Sequence, residues 1–341
     1  MATIQEVANR AGVSKATVSR VLSGNGYVGQ EKRERVLQAI AETDYRPNLL
    51  ARNLATKSTQ TIGLVITNTL YSGSYFTELM AHSARIMEQQ GRQLILADGK
   101  HTAEQEAAAI EFLLDLRCDG IIIYPRFLSI DALDAIISRH KQPILVINRR
   151  LRIHDSYCIY SDQQAGSALA VSYLLSHGHR DIAFITGSLD SPTGVERLSG
   201  YHAALAAQGL EAEPQRIVAG KWTAQSGMAA VDTLLSRNVS FSALVASNDE
   251  MAIGAIKRLT ECGIAVPGQV SVIGFDDIPL APYITPSLSS MKLPVTEMID
   301  ETINRLLTML HGGDWPNQAP FTASLMLRDS VTCGPYQAES R

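Results

Sequence analysis

Gly120-Ile-Ile-Ile-Tyr124 and Ile144-Leu-Val-Ile147 are two short runs, apolar on both faces, with a segment of helical period between them. Strands of this kind belong inside parallel sheets covered by helices, because only there do both faces meet apolar neighbours. The pattern repeats outward. Ile62-Gly-Leu-Val-Ile66 and Leu94-Ile-Leu96 precede the pair, while Ile182-Ala-Phe-Ile185, Ala243-Leu-Val-Ala246 and Val270-Ser-Val-Ile-Gly-Phe275 follow it. Helical stretches between them stop at glycine: 81–90 at Gly91, 167–176 at Gly178, 203–208 at Gly209 and 252–262 at Gly263. Glycine suits the left-handed residue that ends a helix. The chain therefore reads as α/β, doubly wound. There are too many βα units for one modest sheet, and Tyr157-Cys-Ile-Tyr-Ser-Asp162 reads as a restart, so the core divides into two lobes. The predicted N-lobe covers about 61–156 and 291–321, and the C-lobe about 157–290 and 322–341, with a last strand over 323–327. Ligands of such sheets bind beyond the carboxyl ends of the strands, here in a cleft between the lobes.

With 341 residues and 45% hydrophobic content, the chain can build a large core, which excludes a disordered or fibrous protein. It contains no uncharged apolar run of the roughly 18 residues that span a membrane, and it starts without the apolar stretch of a signal peptide. A cytoplasmic location is expected. Cys118, Cys158, Cys262 and Cys333 are widely spaced and form no Cys-x-x-Cys pair, so neither a zinc site nor a disulfide framework is expected. The net charge of −4 hides an asymmetry: residues 1–60 carry +4 and the remainder −8. A small basic segment ahead of a large acidic one points to an N-terminal nucleic-acid-binding unit.

That segment opens with Thr3-Ile-Gln-Glu6, a capping box before a helix with Ile4, Val7, Ala8 and Ala11 on one face and a stop at Gly12. Ser14 caps a second helix, in which Val18, Val21 and Leu22 face inward while Lys15, Ala16, Ser19 and Arg20 face outward. A third helix over about 30–41 completes the bundle through Val36, Leu37 and Ile40. Helix, glycine turn, helix is the helix-turn-helix arrangement, whose second helix enters the major groove of DNA. The same pattern also fits an ordinary helical hairpin, and the basic excess favours the DNA-binding reading.

The spacing Thr3-Ile-x-Glu-Val-Ala-x-x-Ala-Gly-Val-Ser-x-x-Thr-Val-Ser-Arg-Val-Leu22, followed by Tyr45-Arg-Pro-Asn48 and Ala51-Arg-x-Leu54, resembles the LacI/GalR family of transcriptional repressors. Gly29 departs from it, standing where the family usually has a Ser or Thr cap. The resemblance covers the whole chain. It implies a helix-turn-helix headpiece over 1–46, a hinge helix and linker over 47–60, and a periplasmic-binding-protein-like, two-lobed core for effector binding and dimerisation over 61–341. It also implies a homodimer on a pseudo-palindromic operator. Lys15 and Ala16 stand where members read bases, and lysine can donate to guanine while an alanine methyl can touch thymine. Arg20 offers another guanine contact, Ser19 lies on the same face, and Ser14 and Thr17 suit phosphate. Asn48, Ala51 and Leu54 fall in the hinge, where Leu54 would wedge a minor-groove base step. Leu54 packing on the third helix is the alternative.

The resemblance also places Tyr75, Phe76, Asn148, Arg197, Trp222, Asn248 and Asp276 at the effector pocket, with all but the Tyr75-Phe76 pair assigned to strand ends alongside a first-lobe aromatic pair. Aromatic faces suit a sugar ring, and amides, a carboxylate and a guanidinium suit its hydroxyls. Singly, each has a plainer explanation: Asp276 capping a loop, Asn248 capping the helix near Met251, Arg197 pairing with Glu196 or another surface acid. Within the family, Ser19-Arg-Val-Leu-Ser-Gly-Asn-Gly-Tyr-Val28 and Asp115-Leu-Arg-Cys-Asp119 resemble a branch controlling β-glucoside use, which implies an effector of the salicin, arbutin or cellobiose type. The alternative is a different sugar or a nucleobase, including one acting as corepressor. Phosphate-loop, dinucleotide and Gly-x-Ser-x-Gly motifs do not occur, so no enzyme, catalytic residue, cofactor or metal is expected. His177-Gly-His179 matches a structural stretch of the family rather than a metal site, and Asp276-Asp277 finds no third catalytic partner.

Overall fold

The computed structural model describes residues 2–23, 26–45, 58–68, 73–316 and 319–336. The chain forms two compact units, Met1–Thr59 and Gln60–Arg341.

The small unit holds helices α1 (Ile4–Ala11), α2 (Lys15–Ser23) and α3 (Gln30–Thr43). The capping box is present: Thr3 accepts from the Glu6 N–H and Glu6 from the Thr3 N–H. Gly12 then ends α1 in the left-handed region at φ 64°. Val7, Ala8, Ala11, Val18, Val36 and Ala39 form the core, with Ile4, Val21, Leu22 and Ile40 against it. One expectation fails. Leu37 is 51% exposed and Ala39 is buried instead, because α3 turns the face containing positions 36, 39 and 40 inward and a neighbouring apolar residue falls outside that stripe. Gly29 precedes α3 without a side-chain cap.

The large unit contains two sheets. The first has the order β2 (Gln93–Asp98), β1 (Thr61–Ile66), β3 (Gly120–Tyr124), β4 (Ile144–Ile147), β5 (Cys158–Ile159), all parallel. The second has the order β11 (Ser324–Met326), β10 (Ser289–Lys292), β9 (Ser271–Asp276), β8 (Ala243–Ala246), β6 (Ile182–Thr186), β7 (Ile217–Ala219), parallel except for β11. Helices α4 (Ser74–Gln89), α5 (Ala103–Asp115) and α6 (Ile130–Arg139) connect the first sheet. Helices α7 (Gln163–Ser176), α8 (Pro192–Ala206), α9 (Ala224–Ser236) and α10 (Asp249–Glu261) serve the second, and α11 (Val295–Leu310) returns to pack on β3, β4 and β5. Central strands β4 and β8 are buried at every position, as their unbroken apolar runs require.

Two boundaries differ from expectation. Cys158-Ile159, read as a restart, closes the first sheet by pairing with Val146-Ile147. The second lobe starts at Asp162, which caps α7 by accepting from the Ala165 N–H at 2.7 Å. Strand β10 stays in the second sheet through Lys292, slightly past the expected crossing near 290. Both segments are weak in sequence: β5 has two residues, and β10 is half serine, with Ser289 and Ser290 wholly buried. Strand β7 was not legible either, being three residues long.

Candidate functional site

An open cleft lies between the lobes, enclosing about 1020 Å³ when the solvent at its mouth is included, and such inter-lobe clefts are where small-molecule ligands bind in this class of fold. Phe76 from α4, Tyr124 at the end of β3, and Asn148 and Arg149 after β4 line it from the first lobe. The second lobe contributes Gln163, Thr193, Arg197, Trp222, Asn248, Glu250 and Asp276.

A chain of hydrogen bonds joins the two sides. Asn148, held at φ 63°, donates from Nδ2 to the Tyr124 hydroxyl at 2.6 Å and to Thr193 Oγ1 at 3.2 Å. Its Oδ1 accepts from Gln163 Nε2 at 3.0 Å, and Gln163 Oε1 accepts from Arg197 Nε at 2.9 Å. Because arginine can only donate, it fixes the orientation of both amides. Arg197 also donates from Nη1 to the Ser247 carbonyl and from Nη2 to Asp276 Oδ1 at 3.1 Å. Its guanidinium lies 3.7 Å from the Phe275 ring centre. Arg197 thus comes from α8, not from a strand end as expected, and it is 3% exposed. Most of its fork is used by the protein, so its main effect is to orient Asp276.

Asp276 ends β9, and its carboxyl is pushed up by burial and held down by Arg197. Its other oxygen remains for a hydroxyl donor. Beneath it, Asp249 is fully buried and accepts from Ser290 Oγ at 2.5 Å and from the Ile278 N–H at 2.8 Å. Burial, then the neighbouring Asp276, pushes Asp249 up to about 8. Asn248 does cap α10, accepting from the Met251 N–H at 3.0 Å, while its Nδ2 donates to the Trp222 carbonyl at 2.9 Å. Trp222 takes a left-handed backbone at φ 65°. Its indole covers Gly187 so closely that a Cβ there would fall 2.0 Å from the ring.

The first-lobe wall is built by a buried carboxylate. Glu106 on α5 accepts from the N–H groups of Arg126, Phe127 and Leu128 at 2.7, 2.9 and 2.8 Å. This anchors the loop after β3, from which Arg126 reaches across to Asp190 of the second lobe at 3.0 Å. Arg149 donates to the Leu128 carbonyl of the same loop at 3.3 Å. Arg150 instead pairs with Asp155.

Of the expected pocket residues, Phe76, Asn148, Arg197, Trp222, Asn248 and Asp276 line this one cavity. Tyr75 lies in the first turn of α4, and its side chain is outside the described residues. Tyr124, Gln163, Thr193, Arg126 and Glu250 were missed. Tyr124 ends a strand already legible in the sequence, and the strand-end rule would have found it. Gln163 and Thr193 lie in first turns of helices and carry no such signal.

In the headpiece, Ser14, Lys15, Ala16, Ser19 and Arg20 are exposed along α2 and Thr17 is half-buried. Ser14 Oγ accepts from the Thr17 N–H at 3.1 Å and lies 3.0 Å from the Thr17 hydroxyl. Asn48, Ala51 and Leu54 fall outside the described residues, as does most of the hinge segment.

The other candidates have structural roles. His179 is buried between Ser242 Oγ and the Thr332 carbonyl, and His177 contacts the Tyr173 carbonyl. Asp277 pairs with Arg328 at 2.7 Å. Among the described residues no His, Cys, Asp and Glu cluster could hold a metal, and no helix is long and apolar enough to cross a membrane.

Comparison with known proteins adds two family matches: bacterial regulatory proteins of the lacI family over residues 3–48, and a periplasmic binding protein-like domain over 171–331. The chain is 62% identical to the HTH-type transcriptional regulator AscG of Escherichia coli strain K12, over 97% of this chain and 98% of that protein. The lac repressor dimer bound to operator and the anti-inducer ONPF superposes with a TM-score of 0.87 at 28% identity, covering 97% of this chain and 99% of that one. The transcriptional regulator CelR in complex with cellobiose gives 0.71 at 29% identity, covering 97% and 100%.

Proposed function

Because the chain belongs to the lacI family of bacterial regulatory proteins and is a DNA-binding transcriptional repressor rather than an enzyme, we propose that a β-glucoside bound between its lobes controls its affinity for a pseudo-palindromic operator. The observation that carries this reading is the hydrogen-bonded chain from Tyr124 through Asn148, Gln163 and Arg197 to Asp276, which links both lobes along the cavity. A ligand touching Asp276 and Asn148 is sensed by both lobes at once. Trp222 and Phe76 offer faces for the sugar ring or its aglycone, with Tyr75 beside Phe76, and Asp276 and Asn248 offer polar atoms to hydroxyls. The CelR complex with cellobiose, itself a β-glucoside, supports the ligand class.

On DNA, two headpieces of a homodimer read the two half-sites, as two-fold protein symmetry requires. Lys15 and Ala16, with Arg20, read base edges; Ser14, Thr17 and Ser19 hold the backbone; and Asn48, Ala51 and Leu54 act in the hinge. Cleft closure repositions the first lobes and changes operator affinity by a reciprocal coupling of about 1–3 kcal/mol. The protein works in the cytoplasm, where operator and sugar meet.

The test is binding of labelled palindromic operator across a salt series, with and without salicin or cellobiose. Binding that weakens with salt and shifts about tenfold or more with the glycoside is expected. Operator binding indifferent to every β-glucoside would remove the ligand assignment, and a shift toward tighter binding would make the sugar a corepressor.

A further inference from the structure

The cavity is electrostatically lopsided. Its second-lobe wall mixes the acids Asp276 and Glu250 with the cations Arg197 and Lys221, while the charged residues of the first-lobe wall are both cations, Arg126 and Arg149, each attached to the loop after β3. Each has a buried guanidinium nitrogen without a hydrogen-bond partner: Nε of Arg126 and Nη1 of Arg149. Arg126 has only 10% of its side chain exposed, and its ion pair is with Asp190, which is 65% exposed and therefore well solvated. Arg149 makes no ion pair within 4.0 Å among the described residues, and burial pulls its guanidinium below the ordinary arginine value. Arg126 keeps its bond to Asp190, and Arg149 keeps its bond to the Leu128 carbonyl with the carboxylates of Glu196 and Glu106 in its surroundings. One buried nitrogen of each guanidinium is nevertheless left without an acceptor on the same cavity wall, which is a poor match for protein alone. The two nitrogens are a good match for an anion, because charge-assisted bonds to phosphate or carboxylate are about twice as strong as neutral ones. Arg197 does not contribute to this imbalance, since it is already committed to Asp276, Gln163 and Ser247.

We propose that the effector carries an anionic substituent, which Arg149 and Arg126 receive on the first-lobe wall while its hydroxyls face Asp276 on the second. The proposal rests on the cleft being the effector site. It assigns specificity to Arg149, which the sequence placed only at the pocket entrance, and to Arg126, which the sequence did not single out, and it names the ligand class as an acidic glycoside, either a phosphate ester or a uronic acid. Such an anion also competes with Asp190 for Arg126, so binding exchanges a solvated cross-cleft pair for a buried one.

The experiment is calorimetric titration of the full-length protein with three probes: phenyl β-glucoside, its 6-phosphate, and phenyl β-glucuronide. At least one acidic probe should bind about tenfold or more tightly than the neutral glucoside, and whether it is the phosphate or the glucuronide identifies the anion. That ratio should collapse toward one in Arg149→Gln, return in part in Arg149→Lys, and fall with added salt. Equal affinity for all three probes, or a ratio that survives Arg149→Gln in a protein of unchanged melting temperature, overturns the proposal. Asp276→Asn separates the two readings: it should weaken neutral and acidic probes alike, and if it affects neither, the cleft assignment is what fails.

Discussion

Gly187 has no functional group, yet it decides where Trp222 lies, because the indole occupies the space a Cβ would need. Gly187→Val should lift the ring from its seat and lower glycoside affinity about tenfold in calorimetry, with the headpiece still binding operator. Asp249 makes the opposite point, since its effect comes from a charge it does not carry. Its folded value of about 8 lies far above the roughly 3.9 of an unfolded aspartate. Between those values the unfolded chain holds fewer protons than the folded one, so this group's contribution is fully present below about pH 4 and is lost as pH rises toward 8. Urea unfolding of the core should show stability falling with pH across that window, by at most about 1.4 kcal/mol per unit from this site. Asp249→Asn should flatten the slope, and an unchanged slope would place its origin elsewhere. In the sequence Asp249 reads only as an acid in the first turn of a helix; its burial depends on β9 and β10 closing over it.

Elements set what these residues can do. The loop after β3 has no regular structure, and three of its N–H groups end on one carboxylate, Glu106 of α5. In Glu106→Gln one acceptor becomes a donor facing those N–H groups. The expected loss is about 2 kcal/mol of core stability, measured by urea unfolding, together with weaker ligand binding as the Arg126 and Arg149 wall loosens. The helices of the headpiece were legible from local punctuation: a capping box and a glycine stop on α1, the Ser14 cap before α2, and an apolar stripe of helical period on all three. Leu37 shows the limit of that reading, since an apolar residue beside the stripe is as visible in sequence as one on it. Strands β5, β7 and β10 show another limit: the first two have only two and three residues, and the four of β10, Ser289-Ser-Met-Lys292, lack the unbroken apolar run that made the equally short β4 and β8 legible.

At the scale of the molecule, the two lobes are joined at the cavity by Gln163, which accepts from Arg197 and donates to Asn148. Gln163→Leu would remove one bond from each partner, leaving Asn148 its bonds to Tyr124 and Thr193 and Arg197 its bonds to Ser247 and Asp276, and we expect the glycoside-induced change in operator affinity to shrink. A filter-binding titration with and without ligand checks this, and full coupling in the variant would show that the lobes communicate by another route. The α/β class, the two lobes and the three-helix headpiece could be read from the sequence, because apolar period, caps and motif spacing are local properties of a chain. Six of the cavity's lining residues came from the resemblance to the LacI/GalR family and not from any local pattern. The direction of the Arg197 fork, the burial of Asp249, the seat of Trp222 and the one unpartnered guanidinium nitrogen on each of Arg126 and Arg149 could not be read from the sequence. Each depends on which atoms far apart in the chain end within a few ångströms of one another, and only the packing of one sheet and its helices against the next determines that.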